Sequence, residues 1–138
     1  RSVMLNALIG RAEQAAQRIE ARAQALTHSP ETCSRIRRIN ALKTGCLITA
    51  SCEAGALWAG AAPGAVRKLR KYGQEVGFLF QLVDDIIDGD GYVPLLGAQK
   101  TYALAALVRD RAKKAIRSLG PQASELAAFA DFLFDRKS

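Results

Sequence analysis

Apolar residues recur through most of this chain at helical spacing. Val66, Leu69, Gly73, Val76, Phe80, Val83 and Ile87 follow one another at intervals of 3, 4, 3, 4, 3 and 4. That is the period of a core-facing helix stripe, and it predicts a helix from about Ala65 to Ile87. Met4, Leu8, Ala12, Ala15, Ile19, Ala23 and Leu26 hold the same period, which predicts a helix over residues 3–27. Thr27-His28-Ser29-Pro30 breaks it, with Ser29 suited to an N-cap and Pro30 to a first helical position. A second helix is predicted from about Pro30 to Ala61, with a kink at Gly45. Its first half carries Arg35, Arg37, Arg38 and Lys43. Its second half is small and apolar, which permits close helix approach, and Trp58 is read there as a core or interface anchor.

Ala62-Pro63-Gly64 reads as a turn, and Gly89-Asp90-Gly91-Tyr92-Val93-Pro94 opens a loop running to about Gln99. A helix from about Thr101 to Leu119 turns Leu104, Val108, Ala115 and Leu119 inward, with Thr101 as its N-cap. Gly120-Pro121 ends it. A last helix, about Ala123 to Asp135, buries Leu126, Phe129, Ala130 and Leu133. Nothing alternates with the period of a strand, and no repeat is visible. The expected fold is all-α, a single domain of five or six bundled helices over residues 1–138.

The totals change this picture little. The chain has 138 residues, 49% hydrophobic and 24% charged, which is ordinary for a globular protein. Its 20 basic residues against 13 acidic ones leave a net charge of +7, which suits an anionic partner such as a diphosphate, nucleic acid or a membrane surface. Cys33, Cys46 and Cys52 lack metal-ligand spacing and read as reduced packing thiols of a cytoplasmic protein. The least polar stretch, Gly45 to Ala62, is too weakly apolar to predict a transmembrane segment. No signal peptide is read, and the start at Arg1 without a methionine points to a fragment, a processed piece or a short homologue. His28 reads as an exposed loop residue. The basic runs Arg35-Ile36-Arg37-Arg38 and Arg67-Lys68-Leu69-Arg70-Lys71 are not interleaved with aromatics, so a nucleic-acid partner is not expected.

The candidate chemistry lies at the end of the third helix. Gly77 to Asp88 sets Asp84, Asp85 and Asp88 in an apolar run. Three carboxylates there are costly without compensation, and the helix C-terminus makes them less welcome still. Spacings of three and four put them on one helix face, with Gln81 one turn earlier, and Mg²⁺ is the natural counter-ion. Lys43-Thr44-Gly45, at the possible kink, and Lys100-Thr101-Tyr102, after the loop, are candidate phosphate contacts.

In order and spacing, Lys43-Thr44-Gly45, Tyr72-Gly73, Gly77, Phe80-Gln81-Leu82-Val83-Asp84-Asp85-Ile86-Ile87-Asp88 and Lys100-Thr101-Tyr102 resemble the C-terminal half of a trans-isoprenyl diphosphate synthase. This is the polyprenyl synthetase family, with its geranyl, farnesyl and geranylgeranyl diphosphate synthases. The resemblance runs from about Ile39 to the C-terminus, whose last helix and basic tail are also similar. It implies an isoprenoid synthase-like helical bundle and a prenyltransferase. An allylic diphosphate is ionised with Mg²⁺ assistance, the cation alkylates isopentenyl diphosphate, and a proton is lost. By resemblance, Asp84 and Asp85 match the Mg²⁺ positions of the second aspartate-rich motif and Asp88 supports them. Lys43 and Lys100 match the lysines on the allylic diphosphate, and Thr44 and Gln81 line the same site.

The sequence departs from the family upstream and in the loop. It carries no first aspartate-rich motif, no Arg/Lys site for isopentenyl diphosphate and no recognisable Gly-Gly-Gln segment before Lys43. The loop after Asp88 is short and lacks one phosphate lysine. The expectation is therefore half an active site, inactive alone, from a larger synthase. The alternative is a non-catalytic partner subunit or degraded homologue. A homodimer or a partner synthase chain is expected. A terpene cyclase would share the bundle and the metal chemistry, but the Lys-Thr-Gly and Lys-Thr-Tyr elements favour the prenyl-chain synthase.

Overall fold

A computed structural model describes Arg35, Arg38, Ile39 and residues 41–136, with Ala41 and Lys43 by their backbone alone. The predicted helix over residues 3–27, His28, Ser29, Pro30 and Cys33 lie outside the described residues. A π-helical turn spans Ala41–Gly45 and runs into α1, Cys46–Trp58. The helical irregularity expected at Gly45 is thus a wider turn that ends there. Next come α2 (Pro63–Asp88), the short α3 (Val93–Leu96), α4 (Ala98–Ile116) and α5 (Ser124–Asp135). Single 3₁₀ turns at Arg117–Leu119 and Pro121–Ala123 join the last two helices.

The long α2 is the axis of the bundle. Pro63 starts it at a position where a missing N–H costs nothing, and Gly89 stops it in the left-handed region, φ 71°. Its Tyr72, Val76, Leu79, Leu82 and Val83 are all buried, on more than one side of the helix. The predicted stripe is therefore only part of what α2 hides. Helices α1 and α4 pack along it, and α5 closes the end. From α4 the core receives Ala105, Val108, Ala112 and Ile116, and from α5 Ala130, Leu133 and Phe134. The Tyr72 hydroxyl donates to the Leu126 carbonyl at 2.7 Å, tying α2 to α5, and burial holds its phenol well above the usual range.

Helices α1 and α2 approach so closely that two glycines are required. A Cβ on Gly77 would lie 2.5 Å from Cα of Gly45, and one on Gly73 would lie 2.8 Å from Cα of Thr49. The close approach falls at Gly45, Thr49 and Cys52, at the start of the small-residue stretch and just before it, and its partner is the Gly73-x-x-x-Gly77 face.

Several expectations are corrected. Trp58 is 68% exposed, so it is not a core residue. Phe129 is exposed too, and the apolar face of α5 is rotated to bury Phe134 instead. Ile87 emerges from the core at the end of α2. The predicted loop 89–99 contains α3, and α4 begins at Ala98 rather than Thr101. Thr101 is buried inside the first turn, where its hydroxyl donates back to the Gly97 carbonyl at 2.9 Å. The backbone before α4 turns at Gly97, φ 84°, which removes the need for a threonine cap.

Candidate functional site

The last two turns of α2 carry the three aspartates, and the fold gives each a different environment. Asp85 is 3% exposed. The Tyr92 backbone N–H donates to its Oδ2 at 3.0 Å, and Gln81 Nε2 donates to its Oδ1 at 3.3 Å. The segment Gly89–Tyr92 folds back over this carboxylate, because the carbonyl of Asp85 accepts the N–H groups of both Gly89 and Asp90. Gly91, φ 53°, rests directly on it. Burial pushes the Asp85 carboxyl above its ordinary range. The Tyr92 and Gln81 hydrogen bonds oppose that push, and the charges of Asp90 and Asp84 add to it.

Asp84 faces elsewhere. Its Oδ1 accepts from Nη2 of Arg136, the residue that follows α5. The same guanidinium lies 4.8 Å from the centroid of the Phe80 ring, one turn back on α2. Asp88 is exposed at the helix end. The expectation that all three carboxylates share one face is therefore corrected. At about 100° per residue Asp88 lies about 40° from Asp84 and about 60° from Asp85, so spacing permits one face; the fold divides them, the turn at Gly91 and Tyr92 taking Asp85 and Arg136 taking Asp84. Among the described residues, no group of three or more His, Cys, Asp and Glu side chains gathers around a common point.

The donor set that remains is Asp84 and Asp88, one turn apart, one held by a single guanidinium and the other open. Mg²⁺ takes one or two carboxylates and fills its other positions with water and phosphate, so this pair fits it. Asp85, buried and accepting from Tyr92 and Gln81, fits a supporting role. Gln81 is half-buried and committed to Asp85. Thr44 is half-buried in the π-helical turn, and Lys43 precedes it there, its side chain outside the described residues. Lys100 is exposed in the first turn of α4.

A cleft of about 620 Å³ opens between the ends of α2 and α5, walled by Val83, Ile86, Ile87, Tyr102 and Phe134, with Asp135 and Arg136 at its polar edge; Arg136 is its link to Asp84. A second cleft, about 510 Å³, lies where the π-helical turn meets α2. Glu75, 5% exposed, lines it and accepts from Lys71 at 2.8 Å and from Arg111 at 2.7 and 3.0 Å. Burial alone would raise the Glu75 carboxyl. The hydrogen bonds from Lys71 and Arg111 outweigh it, and the group sits below its ordinary range.

The family model for polyprenyl synthetase matches residues 2–97, which takes in the π-helical turn, α1, all three aspartates and α3. The chain belongs to the polyprenyl synthetase family. Heptaprenyl diphosphate synthase component 2 of Geobacillus stearothermophilus is 41% identical over 106 residues, 68% of this chain and 32% of that protein. Farnesyl diphosphate synthase of Escherichia coli (strain K12) is 32% identical over 124 residues, 73% of this chain and 42% of that one. The apo crystal structure of an FPP/GFPP synthase from Zymomonas mobilis superimposes with a TM-score of 0.77 at 29% identity, over 86% of this chain and 44% of that one. The chain thus spans less than half of the length of these three relatives, from 32% to 44%.

Two features of this polyprenyl synthetase site were not visible in the sequence. Arg136 sits 52 positions from Asp84, and only the placement of α5 brings them together. Gly91 and Tyr92 signalled a turn by composition, but not that the turn would close over Asp85.

Proposed function

We propose that this chain supplies one half of the active site of a prenyl diphosphate synthase, which condenses an allylic diphosphate head-to-tail with isopentenyl diphosphate. The observation that carries the reading is the Asp84–Asp88 pair at the end of α2, with Asp84 joined through Arg136 to a cleft of apolar walls and a polar edge formed by Arg136 and Asp135. Such a cleft suits an isoprenoid tail joined to an anionic head. Asp84 and Asp88 hold Mg²⁺. The ion, when bound, supplies positive charge where the leaving diphosphate develops negative charge. Asp85, fixed by Tyr92 and Gln81, anchors the turn that follows the motif. Lys43 and Lys100 hold the allylic diphosphate, with Thr44 at the edge of the same site. The apolar walls keep water from the reacting carbon. No described helix is long and apolar enough to cross a membrane.

The sequence carries one aspartate-rich motif, and its relative in Geobacillus stearothermophilus is called component 2 of its synthase. This favours a second reading, in which the chain works as a subunit beside a complementary synthase chain or a second copy of itself. The purified 138-residue chain, given Mg²⁺, an allylic diphosphate and radiolabelled isopentenyl diphosphate, is expected to release no prenyl product. Co-expression with a segment carrying the first aspartate-rich motif is expected to restore it. Product from the chain alone would overturn the half-site reading. A complemented complex that leaves isopentenyl diphosphate untouched would overturn the activity itself.

A further inference from the structure

Asp84 and Asp85 are neighbours in sequence and opposites in the fold, and the difference points to a device at the end of α5. Asp85 is held by a backbone N–H and by the glycine packed on it. Freeing it requires the Gly89–Tyr92 segment to move. Asp84 is held by one side chain, Arg136, and that hold is incomplete. A guanidinium carries five N–H donors. Arg136 gives Nη2 to Asp84, while its Nε is buried with no hydrogen-bond partner. A buried donor left unmet costs free energy that a better arrangement recovers. The backbone at Arg136 is already extended, φ −62° and ψ 127°, so the helix has ended and the side chain can leave without unwinding a turn of α5.

We propose that Arg136 is a built-in counter-cation for Asp84, so that a divalent ion and the end of α5 compete for the same carboxylate. This rests on the assignment of Asp84 to the metal. With Arg136 in place, the carboxylate is neutralised and the chain tail is pinned across Phe80. With Asp84 taken by the ion, the guanidinium is released. It already lines the neighbouring cleft, together with Asp135, and there it becomes a donor for an anion. Cation and anion then favour one another through Arg136, since each stabilises the state in which the ion pair is broken.

The test is Mn²⁺ binding to the full chain, read by electron paramagnetic resonance, in wild type, Arg136→Gln and Asp84→Asn. Arg136→Gln is expected to bind Mn²⁺ about two- to fivefold more tightly than wild type, the range for removing a partly exposed competing ion pair. Asp84→Asn is expected to bind most weakly. Equal affinity of wild type and Arg136→Gln, with binding lost in Asp84→Asn, would overturn the competition and leave the metal assignment standing. Absence of binding in all three would overturn both. A second measurement avoids substitution in the reporting species. The Arg136 Nε–H signal in a ¹⁵N spectrum should shift as Mg²⁺ is added to wild type. A signal that stays fixed through metal saturation would overturn the proposal.

Discussion

Gly91 lies against the carboxylate of Asp85 so closely that a Cβ there would fall 2.2 Å from Oδ2. The contact accounts for a short Gly-Asp-Gly turn straight after the aspartates. The chain has to pass over a buried charge, present the Tyr92 N–H to it, and leave no side chain in between. Gly89 and Gly91 both adopt positive φ, yet only Gly91 is crowded. Gly91→Ala is expected to destabilise the fold by about 3 kcal/mol, from backbone strain together with the clash. Gly89→Ala, at φ 71° in open space, should cost only the strain, about 1 kcal/mol. Urea denaturation of the two variants checks the ordering.

The crossing of α1 and α2 gives a second pair. Gly77→Ala drives a methyl group into the Gly45 backbone, and no rotamer relieves a backbone contact. A loss of about 3 kcal/mol is expected, near the upper end for overpacking. Gly55, in the last turn of α1, has nothing within 4 Å of its added Cβ. Gly55→Ala should therefore stabilise by about 0.5–1 kcal/mol through helix propensity. Thermal melts of both variants should move in opposite directions.

Glu75 governs an acid limb of stability. Its folded-state carboxyl lies below the ordinary range, so its contribution is complete above the unfolded value, about 4.3, and is lost as pH falls through the folded value. Glu75→Gln is expected to cost about 1–2 kcal/mol at pH 7, and progressively less as the pH drops below 4. A substitution effect that is the same at pH 7 and pH 3 would remove the charge pairing with Lys71 and Arg111 as its cause.

Asp85 has the opposite sign. Its folded-state carboxyl lies above the ordinary range, first because it is buried. Its favourable contribution is therefore present below the unfolded value, about 3.9, and is lost as pH rises through the folded value. Asp85→Asn keeps an acceptor for the Tyr92 N–H and removes the buried charge. It is expected to leave stability at pH 7 unchanged or raise it by about 1 kcal/mol, with the gain vanishing in acid. Asp85→Ala leaves the Tyr92 N–H unmet and should lose about 2 kcal/mol in acid, and less at pH 7, where wild type also carries the cost of the buried charge. Stability curves against pH for both variants test this.

The sequence made the helices legible because apolar spacing is a local signal. The stripe from Val66 to Val83 is the face that packs, and the breaks at Pro63, Gly89 and Gly120 fall where backbone chemistry demands them. It was less informative about Phe129 and Phe134, which lie five apart on α5. Which of the two is buried depends on how the helix is rotated against α4, and that is a tertiary outcome. The aspartates show the same boundary. Their spacing permits a shared face, and the fold uses the freedom differently. It commits Asp85 to the turn at Gly91 and Asp84 to a residue 52 positions away. The first partner is close in sequence but depends on how the turn folds back, and the second lies beyond any local window.

The Gly45–Gly77 contact carries a consequence for distance. Two backbones that touch cannot slide or tilt by exchanging rotamers, so the end of the Lys-Thr-Gly turn is pegged to one level of α2. Asp84 lies seven residues further along the same rigid helix, about 10 Å by helical rise. The two motifs are therefore the fixed jaws of a caliper, its opening set by main chain alone. Side chains at its tips can reach inward or lean away, but a ligand that engages both jaws must match that gauge, because the frame itself does not close.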